Sequence, residues 1–173
     1  MQKEDRTGDS DKACAAVCGL YCGACSWYIS TTEDRERLQQ LADRAHLTEE
    51  EATCLGCRSG ERLPYCEHCR IGACAAERGV DFCSDCEEYP CGELIWFQSA
   101  MPHRIELWDN LERIKAVGYE KWLAEIREHY TCPECRTINS PYDIQCRNCG
   151  KDPSCEYVAE HRRAIERYLN RRR

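Results

Sequence analysis

Large apolar side chains are scarce in this chain, with only two Phe and two Met among 173 residues. A generous hydrophobic core is therefore excluded, and a chain with so thin a core needs another kind of staple. No stretch of about 18 apolar residues exists, which excludes a hydropathic membrane-spanning helix. The first ten residues are charged and lack an apolar segment, so no secretory signal is expected and the chain is expected in a reducing cytoplasm. Positive charge is also short: 24 Lys and Arg against 31 Asp and Glu give a net charge of −7. That balance argues against general coating of nucleic acid by the main body. No Ser-His-Asp arrangement, phosphate-binding glycine loop or paired-carboxylate site stands out, and no enzymatic activity is expected.

What the chain has in excess is cysteine, 17 in all. Such usage means a disulfide scaffold or a metalloprotein, and an odd number in a reducing compartment favours metal. The expected architecture is a small metal-stabilised, α-rich irregular domain, followed by a zinc ribbon and a terminal helix. The expected divisions are a disordered tail (1–13), a cysteine-rich metal-binding domain with a helical C-terminal half (14–130), the ribbon (131–151) and a basic amphipathic helix (152–173).

The clearest motif is Cys132-Pro-Glu-Cys135, ten residues, then Cys146-Arg-Asn-Cys149-Gly150. Each C-x2-C pair forms a tight turn, and two facing turns place four thiolates at the corners of a tetrahedron about 2.3 Å from a zinc ion. Four protein ligands leave no open position, so the site is expected to be structural. The segment resembles a zinc ribbon of the rubredoxin-like kind, including Asn139-Ser-Pro-Tyr-Asp143 as an intervening hairpin, although Arg136 stands where such ribbons usually have Gly. Cys155 falls outside this set.

The N-terminal half carries twelve cysteines, enough for at most three four-sulfur sites. Cys54, Cys57, Cys66 and Cys69 could close one. Cys18, Cys22 and Cys25 would then combine with some of Cys74, Cys83, Cys86 and Cys91. Two C-x2-C-x4-C units (Cys66, Cys69, Cys74 and Cys83, Cys86, Cys91) form an internal repeat, and pairing between them is equally allowed. His68 is expected to face solvent. Zinc is expected here in preference to an iron–sulfur cluster. Cys18-x3-Cys22-x2-Cys25 matches the three-cysteine loop of radical S-adenosylmethionine enzymes, but Ala24 replaces the usual aromatic and the chain is too short for their barrel. Cys22-Gly-Ala-Cys25 lacks the βαβ surroundings of a dithiol redox site.

The ordered motifs Cys18-Gly-Leu-Tyr-Cys22-Gly-Ala-Cys25, Cys69-Arg-Ile-Gly-Ala-Cys74-Ala-Ala-Glu-Arg-Gly-Val and Cys83-Ser-Asp-Cys86-Glu-Glu-Tyr-Pro-Cys91 resemble an uncharacterised cysteine-rich prokaryotic family, domain of unknown function 3795. The resemblance covers about residues 14–100. It implies metal binding, by zinc in the usual view of that family, and a prokaryotic cytoplasm. It supplies no activity.

Helical signals fill the rest. Ser30-Thr-Thr-Glu33 has the form of a capping box before Leu38, Leu41, Ala42 and Ala45, which predicts a helix over about 31–46. A short helix through Ala75–Arg78 is expected to end at Gly79. Trp108, Leu111 and Ile114 predict one helix, broken at Gly118; Trp122, Ile126 and Tyr130 predict a second, packed on the metal-bound half. Asp152-Pro153 is expected to open a final helix with Val158, His161, Ile165 and Leu169 on one side. From residue 153 onward six Arg face three Glu, a net +3 against −10 for the remainder. The function expected is a non-enzymatic zinc-binding adaptor with a protein partner, or RNA through the arginine-rich helix, and no membrane. The alternative is an iron–sulfur electron carrier or an accessory subunit of an anaerobic redox enzyme.

Overall fold

Helices and turns make up the computed structural model, which describes residues 12–99 and 101–171. Among the described residues there is no β-strand, only the isolated bridges Ala15–Tyr21 and Thr131–Ile138. Most of the expected tail (1–11) and the last two arginines lie outside the described residues. Lys12 pairs with Asp81 at 2.7 Å.

The helix expected over 31–46 is two helices, α1 (Ser26–Glu33) and α2 (Arg35–Ala45). Asp34 separates them, because its carboxylate accepts the Arg37 amide at 3.0 Å and so caps a new helix. Ser30 is consequently not a cap: it lies inside α1, fully buried, with no partner for its hydroxyl. A true capping box forms instead at Thr48 and Glu51 and opens α3 (Glu49–Ala52). Leu38 and Ala42 of α2 pack with Ala52, Trp27 and Leu47 as a small satellite core.

After α4 (Pro64–Glu67), α5 (Arg70–Arg78) starts earlier than its sequence signal and ends at Gly79, which adopts φ +64° in a left-handed cap. Helix α6 spans Gly92–Ser99. Helices α7 (Leu107–Val117) and α8 (Tyr119–His129) meet at Gly118, as their periodicity predicts. The last helix, α9 (Glu156–Asn170), does not begin at Asp152-Pro153; its N-cap is Cys155. Asp152 instead accepts a hydrogen bond from Arg162.

One main core takes side chains from nearly the whole chain. Leu94, Leu107, Leu111, Trp122, Tyr157, Val158 and Ile165 are fully buried in it, alongside Cys14, Cys18 and Cys22. Each such aliphatic or aromatic side chain contributes about 1.5–3 kcal/mol by leaving water. Tyr21, between two cysteines, meets Trp122 edge-on at 6.3 Å and Tyr130 at 6.0 Å, which joins the α7–α8 face to the cysteine-rich segment. The Trp122 indole donates to Asn110 Oδ1 at 3.1 Å, so its polar atom is satisfied within the core. Tyr157 donates to the Pro102 carbonyl at 2.6 Å and stacks on Tyr130 at 4.8 Å. Helix α9 is thus part of the core, with only its outer side free for arginines.

Candidate metal centre

Two backbone turns of the same design present the sulfurs of residues 132–149. In the first, the Arg136 amide donates to the Cys132 carbonyl at 3.0 Å and the Cys132 amide donates to the Thr137 carbonyl at 2.8 Å. In the second, the Gly150 amide donates to the Cys146 carbonyl at 2.9 Å and the Cys146 amide to the Lys151 carbonyl at 2.8 Å. Both turns close through a residue in the left-handed region, φ +63° at Arg136 and +74° at Gly150. The missing glycine at 136 therefore leaves the turn geometry intact, and the strain falls on Arg136, whose guanidinium is anchored to Glu128 at 2.6 Å. Between the turns there is no strand-built hairpin: the single Thr131–Ile138 bridge replaces the ribbon's expected strands.

The turns face each other. Cys132 Sγ lies 3.7 Å from Cys149 Sγ, and Cys135 Sγ lies 3.5 Å from Cys146 Sγ. Four sulfurs at about 2.3 Å from a central zinc ion would be about 3.8 Å apart in a tetrahedron, so the spacing fits a single ion. Among the described residues, this is the only set of three or more cysteines whose sulfurs all lie within 4.8 Å of one another. Cys132 and Cys146 are buried, Cys135 is half-buried and Cys149 is exposed, so the site sits at the surface with one side lined by protein.

Polar neighbours prepare the sulfurs for a cation. The Thr137 hydroxyl, 3.2 Å from Cys135 Sγ, and the Thr137 amide hold that thiol down at about 5. The Lys151 amide favours the Cys149 thiolate, but partial desolvation and the three sulfurs beside it push that thiol up to about 12. All four cannot ionise together without a positive ion between them. Asn139 is fully buried behind the pair of turns. Its Nδ2 donates to the Thr137 carbonyl at 2.9 Å and approaches Cys146 Sγ at 3.6 Å, while its Oδ1 accepts the Arg147 amide at 3.0 Å. Neither Thr137 nor Asn139 stands out in the sequence. A hydroxyl two residues after the second cysteine of a turn was the available signal for Thr137; Asn139 was marked only as the start of the expected hairpin segment, not as a neighbour of the sulfurs.

The segment docks on α1 and α2 through polar groups. Arg37 grips Asp143 with two hydrogen bonds of 2.9 and 3.2 Å, Ser26 donates to Ser140 at 3.0 Å, and Arg147 pairs with Glu33.

The N-terminal thiols gather in two wider neighbourhoods. In the first, the Cys57 amide donates to Cys22 Sγ at 3.4 Å. The Cys57 thiol is hydrogen-bonded to Cys22 and Cys66, and the link to Cys22 pushes it far up. Burial raises Cys25 to about 11, with Cys54 and Cys66 adding to it. In the second, burial and then Cys91, Cys74, Cys86 and Cys69 raise Cys83 to about 12. Burial likewise raises Cys18 to about 12, with help from Cys83 and Cys69. Cys74, Cys83, Cys86 and Cys91 line a cavity of about 40 Å³ whose other walls include Ile71, Ala75, Val80 and Leu94. Arg78 reaches Cys86 Sγ at 3.8 Å from its edge. Of Cys54, Cys57, Cys66 and Cys69, the first three thus share a neighbourhood with Cys22 and Cys25, while Cys69 faces Cys18 and Cys83. His68 is exposed, and Cys155 is buried as the N-cap of α9.

Residues 14–96 match the family model described as protein of unknown function (DUF3795). The match takes in all twelve cysteines of the N-terminal half and stops short of the 132–149 site. No curated protein and no solved structure matches the chain.

Proposed function

We propose that this chain is a non-enzymatic zinc protein whose thiolate-held metal stabilises a surface for a protein partner. The observation that carries the reading is the convergence of Cys132, Cys135, Cys146 and Cys149, with sulfur pairs 3.5 and 3.7 Å apart. That spacing suits one tetrahedral ion and leaves no room for a multi-iron cage. Four protein ligands fill zinc's coordination and leave no position for substrate, which supports a structural role over a catalytic one. Bound zinc would supply a crosslink between the two turns, and the Thr137 and Asn139 contacts orient the sulfurs around it.

Two exposed features support a docking role. Trp96 and Ile95 of α6 are 68 % and 51 % exposed, a large apolar pair held outside the core. Arg163, Arg167 and Arg171 line the outer side of α9, while Arg162 is occupied by Asp152 and Glu166. Arginine's planar fork suits carboxylates, and the acidic body repels phosphates, so an acidic protein surface is the preferred partner over RNA. Deleting α9 would remove Tyr157, Val158 and Ile165 from the core, so the test is substitution on its outer side.

A second reading has its own observation. The cavity between Cys74, Cys83, Cys86 and Cys91 is apolar and wider than one ion, a setting in which thiolates also hold iron–sulfur clusters. Metal analysis and a visible spectrum on anaerobically purified protein decide between the readings. The zinc reading expects colourless protein with zinc bound, one equivalent of it lost in Cys146→Ser. Brown protein with acid-labile sulfide moves the N-terminal half to the electron-carrier reading, and unchanged metal content in Cys146→Ser overturns the ligand assignment. For the docking role, Arg163, Arg167 and Arg171 changed together to Gln should reduce partner capture and its salt dependence; unchanged capture removes α9 from the interface.

A further inference from the structure

Outside the cysteines, one cluster of metal-ligating side chains is assembled from three separate helices. Glu106 is the N-cap residue of α7, His129 is the last residue of α8, and Glu160 and His161 lie on α9. The two imidazoles meet at one atom: His129 Nε2 is 2.9 Å and His161 Nε2 is 2.6 Å from the same oxygen, Glu106 Oε1. A Glu160 carboxylate oxygen lies 4.0 Å from His129 Nε2. Ligand atoms of Glu106, Glu160 and His161 all lie within 4.8 Å of one another, and His129 joins that set through its contacts to Glu106 and Glu160.

We propose that Glu106, His129, Glu160 and His161 form a second metal site, with nitrogen and oxygen ligands, for a divalent transition-metal ion of the zinc type. Two imidazoles and two carboxylates make a donor set suited to that class of ion and unlike the four-thiolate centre. The backing is also that of a metal site. His129 Nδ1 is held at 3.0 Å by Glu156 Oε2, a carboxylate that fixes the ring and leaves Nε2 directed at Glu106 Oε1. Aromatic rings lock the imidazoles further: Tyr157 lies 5.7 Å from the His129 ring and 4.6 Å from the His161 ring, and Tyr130 stands 5.7 Å from His129. All the ligands sit on or at the ends of helices that share the buried core, so their positions are set by packing.

Access and charge agree with this assignment. The side chains of Glu106, His129 and His161 are 15 %, 17 % and 19 % exposed, while Glu160 is 53 % exposed. The half-buried three would form the floor of the site and Glu160 its mouth, open for an ion to enter. Three carboxylates, counting Glu156, surround two imidazoles there, an excess of negative charge that a dication offsets. A filled site would tie the arginine-bearing helix α9 to α7 and α8. The inference does not rest on the thiolate reading, since it shares no residue with it.

The test uses the full chain, purified anaerobically with its thiolate-bound metal in place, then titrated with Zn²⁺ while bound metal is counted and the melting temperature is followed. Wild type should take up one equivalent beyond the thiolate-held metal and melt at a higher temperature as it does so. Glu160→Gln removes one ligand at the surface without touching the core, and should weaken that uptake about tenfold to a hundredfold. His161→Ala should abolish it, while Cys146→Ser should lose a thiolate-held equivalent and retain this one. If wild type takes up no further zinc, or if Glu160→Gln and His161→Ala take it up as wild type does, the site is a hydrogen-bonded clamp between helices and the proposal is wrong.

Discussion

Residues 132–149 and the cysteines of residues 14–91 use the same C-x2-C turns, yet only the first set closes on a point. In the C-terminal segment each turn is built by bonds within six residues, and Asn139 bridges both turns from a buried position. The sulfurs arrive 3.5 and 3.7 Å apart because two local units need only one mutual orientation. In the N-terminal half the sulfurs of any one neighbourhood come from three or four separate segments, and Cys18, felt by Cys57 as well as lying beside Cys83 and Cys69, borders both groups. Local spacing makes a ligand pair; only the path of the chain between pairs makes a site.

The largest way to break this comparison is to remove metal. Structural zinc in small four-ligand sites is worth about 10–16 kcal/mol of apparent binding energy at neutral pH. Cys146→Ser should therefore release one equivalent and make residues 131–150 sensitive to protease, with limited proteolysis as the readout. Metal kept by the N-terminal cysteines in the same variant would show the two regions to be loaded independently.

Next comes the shared core. Trp122→Ala should cost about 3–5 kcal/mol through cavity formation, and it also leaves Asn110 without its indole donor. Because Trp122 touches Tyr21 and its helix leads into Tyr130, chemical denaturation should show the two cysteine regions unfolding earlier together. Separate transitions would mean that the core does not couple them.

The polar seam between the regions is a weaker link. Asp143→Ala removes both Arg37 bonds and the acceptor for the Ser140 amide, and should cost about 1.5–3 kcal/mol. Thermal melting of the zinc-loaded protein measures it, with metal content expected to hold.

Acid tests a second contact of the same segment, between His103 and Tyr142. Burial, reinforced by the neighbouring Arg104, lowers His103 from its ordinary 6.5 to about 3. The Arg104 side chain approaches His103 Nε2 at 3.3 Å and Tyr142 Oη lies 2.5 Å from Nδ1, so the neutral ring is built into the contact. The unfolded chain takes up a proton near 6.5 while the folded one does not. Stability from this group is therefore complete above pH 6.5 and falls by up to about 1.4 kcal/mol per pH unit toward pH 3. Denaturant midpoints at pH 7.0 and 5.5 should differ more in wild type than in His103→Gln.

The smallest effect sharpens the comparison of the two turns. Arg136→Gly relieves a left-handed φ that costs a non-glycine residue about 1–2 kcal/mol, and loses a surface pair with Glu128 worth about 0–1 kcal/mol. A melting temperature that rises slightly, with zinc retained, would make the first turn the equal of the second.

The amino-acid sequence alone was enough to predict α7, α8, the Gly79 and Gly118 breaks and the four sulfurs of the 132–149 group. Each of these is decided by neighbours within a few residues: helical periodicity, glycine at a left-handed cap, two cysteines on one turn. It misled where two local signals competed. Asp34 captured the Arg37 amide and cut the expected helix in two, and burial turned the supposed cap Ser30 into an interior residue. The Asp152-Pro153 signal lost to a turn that starts α9 three residues later. Only the tertiary structure could sort eleven of the twelve N-terminal thiols into two neighbourhoods, place Asn139 behind the paired cysteine turns, and bring His129 and His161 onto one oxygen of Glu106. Those residues are up to 55 positions apart, and their meeting is set by how the core packs α9 against α7 and α8, which no local pattern encodes.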